Sequence, residues 1–246
     1  MDDNIRFLKE LTENNYNSIF EHPYLAMYNR LHEEFGLKVQ LNLFYRMEGF
    51  DLSRMSSAYQ SEWEENAEWL KFSFHSDVEN VKPYEVSGYE EVYHDCKKVN
   101  DEIVRFASSH TLAKTTTVHY CLATKDGLKA LADNNVIGLL GLFEENQTSY
   151  GICEDEAKKL RAGKIVKLNT ISYGAIDIVL NKFSKEDNLI KLQNLMNHNN
   201  IKVMIHEQYF YADYGRYQPD FEEKLREVFE FLSKQGYESK FFEELI

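Results

Sequence analysis

The sequence predicts an α/β fold in which a parallel sheet is covered by helices, and three observations predict it. Apolar runs of strand character alternate with runs of helical period almost throughout the chain, the order that βα units produce. Six strand candidates occur, too many and too regularly spaced for a small sandwich. Three apolar runs stop at a histidine, His75, His119 and His206, and Asp2 and Asp3 open the chain. Strands whose C-terminal ends meet at one site would give that pattern, and α/β barrels keep their chemistry at that rim. A barrel and an open doubly wound sheet both satisfy these observations. No Gly-x-Gly-x-x-Gly turn and no Walker loop follows any strand, which weakens the nucleotide-binding forms of the open sheet.

The elements follow in order. Asn4 can cap a first helix with Ile5, Leu8 and Leu11 on one face. Pro23 suits the first turn of the next, where Tyr24, Tyr28, Leu31 and Phe35 share a stripe that Gly36 ends. Residues 37–44 alternate Leu37, Val39, Leu41 and Leu43 as a strand does. A helix over 57–69 turns Glu62, Glu64, Glu65 and Glu68 to water, and 69–75 is the strand that reaches His75. After the loop 76–87, the spacing of Tyr89, Val92, Tyr93, Cys96, Val99, Ile103 and Phe106 predicts a helix over 89–107. Residues 114–119 form a strand into His119, 125–132 a helix and 136–142 a strand; a less regular region runs to 169. A strand over 175–180, a helix over 186–197 and a last strand over 201–205 complete the alternation. Pro219 opens a closing helix that buries Phe221, Leu225, Val228, Phe229 and Leu232.

Composition narrows the function. With 28 Lys and Arg against 41 Asp and Glu, the net charge is −13, a field that repels phosphate backbones and anionic membranes. A small-molecule or oligosaccharide partner is expected, with no nucleic acid and no membrane. The hydrophobic content of 43% supports one sizeable core, and with no linker or repeat the expectation is a single domain over 1–246. Cys96, Cys121 and Cys153 are scattered and odd in number, which fits a reducing compartment. The opening residues are not a basic stretch followed by an apolar run, and no run is long enough to span a bilayer. The expected location is cytoplasmic; the oligomeric state is not legible.

Four motifs, taken in order, resemble the polysaccharide deacetylases of the NodB-homology type, within the glycoside hydrolase/deacetylase superfamily. Asp2-Asp3 is similar to the family's first motif. His75-Ser76 resembles the start of the second, and His119-Tyr120 stands where the third would come. Met204-Ile205-His206-Glu207 is similar to the last motif, an apolar strand ending in a histidine. Each motif alone is weak; their order along successive βα units carries the resemblance. It implies an irregular (β/α)7 barrel, incomplete at the N-terminal strand because only Met1 precedes the Asp pair in the sequence. It implies a divalent metal, usually zinc, at the strand ends. By match, Asp2 is the general base, Asp3 and His75 are metal ligands, and His206 is the general acid. Glu79 occupies the place of the second motif's closing histidine, so either Glu79 or His119 completes the site, and His119 is favoured. The Arg and prolines of the third motif are missing here.

These residue types suit amide or ester hydrolysis. A metal held by two nitrogens and a carboxylate keeps open positions, activates water and polarises a carbonyl. A carboxylate such as Asp2 takes a proton, and an imidazole such as His206 returns one to the leaving group. Glu207 or Asp77 could orient an imidazole. Tyr120, Glu207, Tyr209 and Tyr211, with Tyr214, would contact the sugar. The expected function is thus a metal-dependent hydrolase removing an N- or O-acetyl group from a carbohydrate. The alternative is a catalytically degenerate barrel acting as a carbohydrate-binding or assembly module. A metal-free glycosidase is weaker, because no second carboxylate pairs with Glu207. The plain readings are a core histidine at His75, a helix-capping pair at Asp2-Asp3, a loop carboxylate at Glu79 and simple packing for the tyrosines.

Overall fold

The computed structural model describes residues 1–246 except 15, 80, 81, 145 and 146; 80 and 81 belong to the expected 76–87 loop. Its centre is a ring of parallel segments. These are residues 1–4, β1 (Val39–Met47), β2 (Leu70–Val78), β3 (Thr115–Thr116), β4 (Gly138–Gly141), β5 (Ile171–Ala175) continued by β6 (Ile178–Val179), and β7 (Val203–Met204). Helices α1 (Arg6–Glu13), α2 (Pro23–Phe35), α3 (Gln60–Glu65), α4 (Tyr89–Phe106), α5 (Lys125–Asp133), α6 (Glu154–Arg161), α7 (Lys185–Asn194) and α8 (Phe221–Lys234) fill the connections. This is an irregular (β/α)7-type barrel. It is not one closed ladder: the ring strands fall into three sheets, joined elsewhere by isolated bridges.

The first strand is reduced to residues 1–4, yet it occupies a full position in the ring. On one side Asn4 N donates to Asn42 O (3.1 Å) and Phe44 N to Asn4 O (3.0 Å). On the other, Asp2 N donates to Ile205 O (3.1 Å) and Glu207 N to Asp2 O (3.2 Å). The seam between β1 and β7 is therefore bridged by the segment that carries the Asp pair. Asn4 does not cap α1. It is fully buried, bonds through Nδ2 to the carbonyls of Met1 and Asn42, and accepts from the Tyr24 hydroxyl (2.8 Å). The cap comes from far along the chain: the Glu207 carboxylate accepts from the amides of Ile5, Arg6 and Phe7 at 2.7, 3.0 and 2.7 Å. A carboxyl group at a helix N-terminus satisfies free amides.

Other elements follow their local chemistry. Pro23 sits in the first turn of α2, and Gly36 ends it in the left-handed region at φ 64°, where a residue without Cβ is favoured. The strand expected over 114–119 stops at Thr116, and His119 follows in a short 3₁₀ turn, His119–Cys121. The helix expected over 57–69 is shorter, Gln60–Glu65. The strand expected at 175–180 is divided, and its longer part, Ile171–Ala175, lies earlier. The less regular region contains α6, whose buried residues are only Ala157 and Leu160, so it offers little apolar stripe to read. The core lies between ring and helices, around Phe7, Tyr24, Trp63, Phe72 and Phe106. His22 and His198 are both largely buried, against Glu10 and Asp177.

Candidate metal centre

The C-terminal rim of the ring brings three of the expected ligands together. Asp3, His75 and His119 each offer a ligand atom, and these atoms lie within 4.8 Å of one another. His75 Nε2 is 3.1 Å from Asp3 Oδ1 and 3.1 Å from His119 Nδ1; His119 Nδ1 is 3.4 Å from the same oxygen. Asp3 reaches the rim because its backbone is left-handed, φ 61°, a conformation that aspartate tolerates better than most residues. Consecutive residues of a plain strand would face opposite ways. The turn lets Asp2 stay inside the ring while Asp3 rises to the histidines.

Each group is held by a partner that composition and periodicity do not reveal. His75 Nδ1 meets the Thr117 carbonyl at 2.5 Å, which directs Nε2 toward Asp3. Asp3 Oδ2 accepts from Gln208 Nε2 at 2.7 Å. His206 Nδ1 and its backbone amide both meet Asn181 Oδ1, at 2.8 and 3.2 Å. Asp2 Oδ1 accepts from Asn42 Nδ2 at 2.6 Å. Asn42 Oδ1 in turn accepts from Gln40 (2.8 Å) and Ser73 (2.5 Å), a polar chain running down the inside of the ring. A register shift between Leu43 and Phe44 of β1 places the Phe44 ring against both imidazoles, 5.1 Å from His75 and 4.9 Å from His119.

The electrostatics follow from burial and neighbours. Burial pushes the Asp3 carboxyl up, but hydrogen bonds to His119 and His75 and the histidine charges carry it well below the usual carboxylate range. Burial opposes a charge on His75; Asp2, then the bond and charge of Asp3, outweigh it and raise its pKa. His206 is lowered, because burial there exceeds the pull of Asp3 and Asp2. Glu79 is raised by burial and then by Asp3.

The remaining expected site residues are sorted by position. Glu79 is half-buried at the mouth, close enough to feel Asp3 but outside the three-residue group, which His119 completes. Tyr120 is 43% exposed, with its ring centroid 4.1 Å from that of His119. It and Cys121 hold left-handed backbones, φ 59° and 56°, strained for such residues and of the kind that collects at functional sites. Tyr209 stands 6.3 Å from His206 and 5.2 Å from Tyr214, ring to ring. Two substrate-contact expectations are corrected. Glu207 is 1% exposed and spent on capping α1. Tyr211 is buried, its hydroxyl donating to Glu207 Oε1 at 2.9 Å. Asp77 orients no imidazole; it pairs with Arg46 and Lys98. A cavity of about 710 Å³ opens at the opposite rim and reaches inward to Asp2, Asn42 and Thr117, but His75, His119 and His206 do not line it.

The donor set fits a divalent ion. Two imidazole nitrogens and one carboxylate oxygen are the mixture that catalytic zinc sites use, with positions left open. The Thr117 carbonyl fixes the ring of His75 as the outer partners of metal-binding histidines do. Among the described residues, His119 Nε2 is buried without a hydrogen-bond partner.

No family model matches the sequence, and no curated protein matches it. Solved structures do. Over 90% of this chain, a CE4 family pseudoenzyme from Bacillus anthracis superposes with a TM-score of 0.51 at 12% identity. A 4-alpha-glucanotransferase from Thermococcus litoralis superposes over 94% with a TM-score of 0.61 at 16% identity. A peptidoglycan N-acetylglucosamine deacetylase superposes over 100% with a TM-score of 0.55 at 10% identity, covering 85% of that enzyme. The chain spans 60% of the length of the first and 37% of the second. At these identities the likeness is one of fold. The chain has the barrel of the NodB-type polysaccharide deacetylases, as its four motifs led one to expect. No helix among the described residues is long and apolar enough to cross a membrane.

Proposed function

We propose that the chain is a metal-dependent hydrolase that removes an N- or O-acetyl group from a carbohydrate. The observation that carries this reading is the convergence of Asp3, His75 and His119 from three different strand ends, with ligand atoms within 4.8 Å. A zinc ion held by those three would supply a Lewis acid that polarises a carbonyl and acidifies water. Asp2, turned inward and bonded to Asn42, accepts a proton from the attacking water. His206, whose Nδ1 is engaged by Asn181, delivers a proton from its other nitrogen to the departing amine or alcohol. Tyr120 on one side and Tyr209 with Tyr214 on the other offer aromatic faces to a sugar ring. Glu79 stays at the mouth as a substrate contact. The likeness to a peptidoglycan N-acetylglucosamine deacetylase supports an acetylated amino sugar as the substrate class.

The second reading, a degenerate carbohydrate-binding barrel, is favoured by one finding: one of the similar structures is itself a CE4 family pseudoenzyme. The test is acetate release from N-acetylated oligosaccharides by protein loaded with one equivalent of zinc, beside His75→Ala. Turnover lost in that variant supports the hydrolase. Stoichiometric zinc with no release from N- or O-acetylated sugars leaves the binding module. Absence of zinc binding removes both the metal and the reaction.

A further inference from the structure

Gln208 has no place in the four motifs, yet its side chain touches the centre directly. Its Nε2 lies 2.7 Å from Asp3 Oδ2, while Asp3 Oδ1 faces His75 and His119. An ionised carboxylate only accepts, so the amide must turn its N–H₂ toward Asp3, and Oε1 then points away. That Oε1 is buried and, among the described residues, has no hydrogen-bond partner, which costs stability for a buried acceptor. A side chain chosen for stability alone would not leave it so. The short turn that carries Gln208, Glu207–Phe210, is fixed at its start by the Glu207 carboxylate on α1, so the amide is presented from a rigid base.

We infer that Gln208 is a positioning residue of the metal centre: it occupies Oδ2 of Asp3 and so leaves Oδ1 as the single carboxylate donor. Its removal frees Oδ2. The carboxylate can then rotate away from the histidines or engage through both atoms, and the three-donor geometry is lost. This rests on the reading of Asp3, His75 and His119 as a metal site, and outer partners of this kind change metal affinity by roughly 10–100-fold.

The test is zinc affinity by chelator competition for the wild type, Gln208→Met, Gln208→Leu, Asp3→Asn and the double variant Gln208→Met with Asp3→Asn, together with the thermal midpoint of each metal-free protein. The inference expects the two Gln208 variants to bind zinc about 10–100-fold more weakly with metal-free midpoints close to wild type. It also expects Gln208→Met to add little in the Asp3→Asn background, since it acts through Asp3. Two donor-free variants guard against one that misfolds. Affinity within twofold of wild type in a folded variant overturns the role of Gln208 while leaving the metal site standing. So does a loss that merely tracks a fallen midpoint, or full additivity with Asp3→Asn. A wild type that binds no zinc overturns the metal site and this inference together.

Discussion

His75 Nε2 and His119 Nδ1 face each other at 3.1 Å across Oδ1 of Asp3. Two imidazole nitrogens turned toward one carboxylate oxygen need a proton or a cation between them. Because Asp2 and Asp3 raise the pKa of His75 against its burial, a metal there must displace a proton. Zinc affinity is therefore expected to fall as pH drops, by up to about tenfold per unit where one proton is released. Competition titrations at several pH values through the neutral range check this, and a flat profile would contradict it.

The choice between Glu79 and His119 is open to substitution. His119→Ala is expected to weaken zinc binding by about 100-fold or more, as the loss of one of three ligands should. Glu79→Gln should leave zinc affinity within about twofold and act, if at all, on the Michaelis constant, since a charge at the mouth meets substrate before the centre. The reverse ranking would make Glu79 the third ligand.

Asn181 should matter to turnover and not to metal. Asn181→Leu removes the acceptor that fixes His206 and is expected to lower kcat by about 10–100-fold, less than the roughly 100- to 10,000-fold that a positioned acid–base group itself contributes, with zinc affinity unchanged. Asn181→Asp keeps an acceptor oxygen and should recover part of that loss while moving the pH profile upward, because a carboxylate beside an imidazole favours its protonated form.

Glu207→Gln is expected to destabilise the fold by about 1–3 kcal/mol, because the new amide N–H₂ leaves at least one α1 amide unpaired. Burial pushes the Glu207 carboxyl up to about 7, against the backbone amides of Ile5, Phe7 and Arg6 and the Tyr211 hydroxyl. The folded chain thus holds that proton where the unfolded chain, at its ordinary value of 4.5, has released it. The stability this group contributes is complete at low pH and declines as pH rises to about 7. The wild-type advantage over Glu207→Gln should accordingly be largest near the acid end of that window and shrink toward neutrality. Denaturation at several pH values measures it, and an advantage that grew with pH would contradict the assignment.

Much of this architecture was legible in the residues. The helical spacing from Tyr89 to Phe106 and the apolar run into His75 became α4 and β2 nearly as read. Asp3, His75 and His119, far apart in the chain, meet at one rim. What stayed hidden was of another kind. The orienting groups are a backbone carbonyl, Thr117, and neutral amides, Asn42, Asn181 and Gln208, which carry neither charge nor period. Asn4 looked like a cap because capping was judged locally, whereas Glu207 supplies it from across the ring. Tyr211 looked like a sugar contact from its neighbours in sequence, but the 3₁₀ turn that carries Tyr209 sends Tyr211 into the core.

The segment 1–4 shares its amides with β1 on one side and with residues 205–207 on the other. Neither Asp2 nor Asp3 is therefore in place until residues 1–4 have met residues 205–207. That loop closure is among the longest the molecule makes and the slowest to win back its entropy. During refolding, helices and most strands should form before the chain can hold an ion or do chemistry, so competence would be the last property the molecule acquires.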